Sequence, residues 1–169
     1  MKIEKIYFDM DGVLADFDRG LAELTSVPIK DQSSRTEQED NELWDGVRSV
    51  GHFYDKLEPM PGALEMFRTL YEKYGDKCEI LTGVPKPKRN VPEAGDDKRK
   101  WIERYFGPEV VVNITYAAEK KNYCKGKGYI LIDDLERNIK DWTMNGGTAI
   151  YYKTPEETLK LISDIEARV

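Results

Sequence analysis

The chain is poor in the residues that build several common kinds of site. It has one histidine, His52, which excludes a His-rich metal centre. It has two cysteines, Cys78 and Cys124, with neither a CxxC pair nor a His at zinc spacing. Free thiols in a reducing compartment are expected, with Cys78 buried in a strand. No apolar run approaches membrane-spanning length. The first residues, Met1 to Lys5, are too polar for a signal peptide, so a cytoplasmic location and no membrane partner are expected. Positive charge is also short: the formal net charge is -6 and the pI about 5.0. Such a surface repels nucleic-acid backbones, and a small anionic substrate would need local lysine or metal charge. No internal repeat or low-complexity tract is present.

What the chain has is 169 residues, 40% of them hydrophobic, enough for one core with a small insertion. The run Ile6 to Phe8 reads as a short buried strand that ends in two carboxylates, Asp9 and Asp11, followed by Gly12. Carboxylates held so close repel unless a cation or a shared proton relieves them. Ala15 to Thr25 has helical spacing in Phe17, Leu21 and Leu24. Lys30 to Asn41 is nearly all polar and reads as an exposed loop or weak helix. Glu42 to Tyr54 reads as a short amphipathic helix and an aromatic turn. Residues 17–60 are therefore expected as a small helical cap inserted after the first strand, with 1–16 and 61–169 as the core.

From Pro61 a regular alternation follows. Helices are expected from Ala63 to Tyr74, after Asp96-Asp97 up to Phe106, through Ile139 and Trp142, and from Pro155 onward. The last has Thr154 and Glu157 placed as a capping box. Strands are expected at Lys77–Leu81, Val110–Ile114, Tyr129–Ile132 and Thr148–Tyr152, and Gly83 to Gly95 must be a loop. The fold class is α/β, a Rossmann-like, mostly parallel sheet with helices on both faces. One edge of such a sheet collects Asp9, Asp11, Thr82, Gly83, Asp133 and Asp134. Ligands bind outside that edge.

These residues carry a resemblance. Asp9-Met-Asp11-Gly-Val13, Thr82-Gly83, Lys98 and Asp133-Asp134 resemble, in order, the four motifs of the haloacid dehalogenase (HAD) superfamily of phosphohydrolases. Within it, Asp9 to Phe17, Leu57 to Ala63 and Lys98 to Gly107 are most similar to the 5'(3')-deoxyribonucleotidases. The resemblance implies a HAD-type core and a Mg²⁺-dependent phosphatase acting on nucleoside monophosphates. Asp9 would be the nucleophile that becomes phosphorylated, and Asp11 the general acid and base. Mg²⁺ would be held by the Asp9 carboxylate, the Asp11 backbone carbonyl and Asp133. Thr82, Gly83 and Lys98 would bind phosphate, with Lys98 also orienting Asp9. Lys120 and Lys121 are rivals for that lysine, set behind Lys98 by its Trp-Ile-Glu-Arg-Tyr-Phe-Gly context. Asp134 would support Lys98 or a metal-bound water, and Asp16 has only a weak claim.

Phe17 would stack on a base or pack in the core, and Lys86 matches a substrate-contacting position. Trp44, Arg48, His52, Phe53 and Tyr54 would face the substrate or glue the insertion to the core. The chain departs from the family's usual Ser at Gly83, its Arg at Leu135 and its longer insertion, which leaves pyrimidine specificity open. Other small phosphorylated metabolites, polynucleotide ends and a non-catalytic phosphate sensor are the alternatives.

Overall fold

The computed structural model describes residues 1–168. Five strands form one parallel sheet in the order β3-β2-β1-β4-β5. They are β1 (Lys5–Phe8), β2 (Cys78–Gly83), β3 (Val112–Thr115), β4 (Tyr129–Asp133) and β5 (Thr148–Tyr151). The chain winds outward from β1 through β2 to β3, then returns to lay β4 on the other side of β1. The switch point therefore falls between β1 and β4, where open α/β sheets bind ligands. The register pairs Phe8 with Ile132, so Asp9 and Asp133 come next on adjacent strands.

Side-chain alternation sorts the sheet into two faces. Ile6, Phe8, Ile80, Ile130 and Ile132 enter the main core, against α3 (Ala63–Tyr74), α4 (Ala94–Phe106) and α6 (Pro155–Ala167). Tyr7, Leu81 and Leu131 face the other way and pack on Trp142 of α5 (Glu136–Met144). Cys78 is buried, Cys124 is partly buried, and both are free. Among the described residues, no helix is long and apolar enough to cross a membrane.

Between β1 and α3 lie α1 (Phe17–Leu24) and α2 (Glu37–Val50), then a short 3₁₀ turn, Phe53–Lys56. Leu21, Leu43, Val47, Phe53 and Tyr54 join the same apolar cluster as β1, so this segment has no core of its own. Its entry and exit legs are zipped together: Asp16 N–H donates to Glu58 O and Met60 N–H to Leu14 O, both at 2.8 Å.

α2 starts earlier than its hydrophobic pattern suggested, inside the polar stretch read as loop or weak helix. Thr36 and Glu39 form a reciprocal capping box there. Glu37, Glu39 and Asp40 crowd the first turn, where the helix dipole favours negative charge. At α6 the expected half of a box is present, with Glu157 N–H donating to Thr154 Oγ1 at 3.1 Å.

Candidate active site

The chain leaves β1 through a tight loop. The N–H groups of Val13, Leu14 and Ala15 all donate to Met10 O, and Gly12 has φ +84°. Gly12 is required twice over, because a Cβ there would also lie 1.9 Å from an Asp134 carboxylate oxygen. The loop thus sets Asp9 and Asp11 at the sheet edge with Asp134 pressed against it.

Asp9, Asp133 and Asp134 each offer a carboxylate oxygen within 4.8 Å of the others. Lys120 lies between two of them: its Nζ donates to Asp9 Oδ1 and Asp133 Oδ2, both at 2.8 Å. Asp133 is fully buried and also accepts from Leu135 N–H at 2.9 Å and Asn138 Nδ2 at 3.1 Å. Burial, then the Asp9 charge, raises the pKa of Asp133, and the same two causes raise that of Asp134. Burial alone would lower Lys120, but Asp9 and Asp133 outweigh it and hold the lysine above its ordinary range. Fully ionised, three carboxylates against one ammonium would leave an excess of two negative charges, a repulsion that the raised pKa values of Asp133 and Asp134 express. An all-oxygen cluster with that excess fits a hard divalent cation.

The second acid sits in a different setting. Lys98 is fully buried, and its Nζ donates to Asp11 Oδ2 at 3.0 Å, Thr82 Oγ1 at 2.7 Å and Gly83 O at 2.8 Å. The Tyr54 ring covers the same ammonium, 4.7 Å from ring centroid to Nζ. Asp11 Oδ1 is buried with no hydrogen-bond partner. Burial, then the Asp11 charge, pushes the Tyr54 phenol well above its ordinary value.

The two lysines correct one expectation. Lys98 does not touch Asp9: it holds Asp11, and the lysine on Asp9 is Lys120, the rival. The topology gives the reason. The connection from β3 to β4 must cross back over β2 and β1, and its 3₁₀ stretch Ala117–Tyr123 carries Lys120 over the end of β1. Lys98 rides on α4, which joins β2 to β3 and reaches the β2 end instead.

The crossover passes close to Gly83, where a Cβ would lie 3.1 Å from Ala117 N. Phe17 packs edge-on to Phe53 at 5.4 Å and tilted on Tyr54 at 6.1 Å, within the aromatic cluster of the inserted segment. Lys86 is exposed on the loop after β2. Asp16 caps α1, accepting from Arg19 N–H at 3.2 Å. Asn138 and Tyr54 complete the site. Tyr54 stood among the candidate substrate-facing residues, whereas Asn138 carried no signal beyond a polar residue five positions after Asp133.

Comparison with known proteins identifies the family. A family model described as "5' nucleotidase, deoxy (Pyrimidine), cytosolic type C protein" matches residues 2–158. The chain belongs to that family. It is thereby a phosphoric monoester hydrolase of the HAD superfamily. A cytosolic-type 5'(3')-deoxyribonucleotidase from Homo sapiens is 32% identical over 149 residues, 78% of this chain and 71% of that protein. A putative 5'(3')-deoxyribonucleotidase of Vibrio phage KVP40 is 28% identical over 158 residues, 89% and 76% of the two chains. A HAD family enzyme from Bacteroides thetaiotaomicron, solved as a magnesium complex, shares the fold. Its TM-score is 0.52 at 18% identity, over 96% of this chain and 99% of that one.

Proposed function

We propose that the chain hydrolyses 5'-phosphates of (deoxy)nucleoside monophosphates, using Mg²⁺ and a phosphorylated Asp9. The observation that carries the reading is the pairing of two buried lysines with two acids of unequal surroundings. Lys120 joins Asp9 to the carboxylate cluster, and Lys98 holds Asp11 apart from it. The nucleoside part rests on the family's description and on the names of its relatives.

Asp9 and Asp133, with the Asp11 backbone carbonyl, would hold the ion, and Asp134 lies close enough to join or to bind its water. When bound, the ion supplies positive charge that offsets the phosphate dianion beside Asp9. Asp9 contributes the attacking carboxylate oxygen. A bond forms from it to phosphorus as the ester oxygen leaves with its electron pair. Asp11 gives that oxygen a proton, and Lys98, bound to Oδ2, holds the carboxyl group in place. Asp11 then takes a proton from a water whose oxygen bonds to phosphorus. The Asp9–phosphorus link breaks, and inorganic phosphate leaves. Lys120 keeps Asp9 ionised and aimed throughout. Thr82 accepts from Lys98 and so keeps its single O–H to donate to a phosphate oxygen.

The test is a phosphate-release screen with Mg²⁺ across 5'- and 3'-nucleoside monophosphates, sugar phosphates and 3'-phosphorylated oligonucleotides. The highest kcat/KM is expected for 5'-nucleoside monophosphates. Higher values for sugar phosphates or oligonucleotide ends, or no turnover at all, would overturn the reading.

A further inference from the structure

The loop between β2 and α4 starts at the site and ends on the helical segment 17–60. At its near end, Gly83 O accepts from Lys98 Nζ, and Val84 N–H donates to Thr115 O at 2.9 Å. Pro85 and Pro87 restrict φ through the turn. Arg89 N–H closes onto Lys86 O at 2.9 Å and Asn90 N–H onto Pro87 O at 3.0 Å, with Asn90 in the left-handed region at φ +54°. Val91 is buried and anchors the return. This is a stiff turn rather than a slack connection.

Its outer end is fastened by Arg89. The guanidinium bonds the Asp40 carboxylate, donates to Asn41 Oδ1 at 2.9 Å, and lies 6.0 Å from the centroid of the Trp44 ring. Arg48 donates to the Arg89 backbone carbonyl. Asp40 is shared, because Arg35 Nε also donates to it at 3.1 Å. Asp40, Asn41, Trp44 and Arg48 fall on one side of α2, while Leu43 and Val47 bury another. Arg89 and Asp40 have side chains only 18% and 26% exposed, so this is not a solvated surface pair. A planar, forked cation is needed to meet a carboxylate, an amide and a ring at once.

We infer that Arg89 is a positioning residue that pins the loop leaving the phosphate-binding strand end to α2, and so selects among phosphomonoesters by their organic part. The inference rests on the phosphatase reading. The loop's near end touches the group that holds Asp11, and its far end is bolted to the helix above. The segment between them is thereby fixed beside the strand end, where in this proposal it forms the rim that meets the ester's organic part.

The test compares wild type with R89A, R89K and D40N on a nucleoside monophosphate and on p-nitrophenyl phosphate. R89A is expected to raise KM for the nucleotide about tenfold with kcat within about twofold, and to change p-nitrophenyl phosphate hydrolysis by less than about twofold. D40N should follow R89A, and R89K should not rescue it, since lysine lacks the fork. Equal losses on both esters, full rescue by lysine, or unchanged kinetics in R89A would overturn the role. Were wild type to hydrolyse neither ester, the phosphatase reading would fall and hydrogen exchange would judge the clamp. Faster exchange of residues 84–93 and 37–44 together in R89A supports it, and unchanged exchange overturns it.

Discussion

The two sides of the site use the same part, a buried lysine on a carboxylate, for different ends. On the β1/β4 side, Lys120 serves Asp9 and Asp133, and Asp134 adds a third carboxylate beside them. On the β2 side, Lys98 meets one carboxylate, and its other partners are a hydroxyl and a carbonyl. The first side has surplus negative charge and calls for a cation. The second is balanced and leaves one Asp11 oxygen without a partner, which suits proton transfer. Charge count, more than residue type, separates the two sides, to which the proposed mechanism gives metal and nucleophile on one hand and acid–base transfer on the other.

The comparison breaks most visibly by removing each acid. Asp9→Asn should lower kcat by about 10⁴-fold or more while inorganic phosphate still binds. Asp11→Asn should lower it by about 10²–10⁴-fold and slow both formation and hydrolysis of the phosphoenzyme. Single-turnover kinetics read both, and an Asp11→Asn variant slowed in one step only would contradict its double role.

Removing the lysines comes next. Lys120→Met leaves Asp9 and Asp133 buried without their cation and should cost about 3–5 kcal/mol in urea unfolding. Mg²⁺ should recover more of that loss than it recovers for Lys98→Met, because only Lys120 neutralises the carboxylate cluster. Equal recovery would erase the distinction between the sides.

The smallest effect is on pH. Asp133 and Asp134 are raised by burial and by Asp9. A carboxylate raised in the folded state contributes stability below its unfolded pKa and loses it as pH rises through the folded value. The metal-free protein should therefore lose stability from about pH 4 upward. Mg²⁺ should raise the unfolding temperature more near about pH 8 than near about pH 5. A pH-independent Mg²⁺ effect would contradict the surplus charge.

Much of this was legible in the sequence, because buried parallel strands are short apolar runs and their polar ends stand out. Asp9, Thr82 and Asp133 each mark such an end. The start of α2 was less legible: its first turn is all polar, and the signal lay in Thr36 and Glu39 rather than in periodicity. Lys120 was harder still. Local context favoured Lys98, whereas the choice depends on which connection crosses over β1, and that follows only once the strand order is known. Asn138 and the Arg89 clamp depend on distant pairings that leave no local pattern.

The central claim is that Asp9 takes the phosphoryl group, and an acid-quenched reaction with a nucleoside monophosphate and Mg²⁺ tests it most directly. Mass mapping should find one added phosphoryl group on the peptide containing Asp9, formed more slowly in Asp11→Asn and absent in Asp9→Asn. A phosphoryl group on another residue, or steady turnover with none trapped in either protein, would contradict the account.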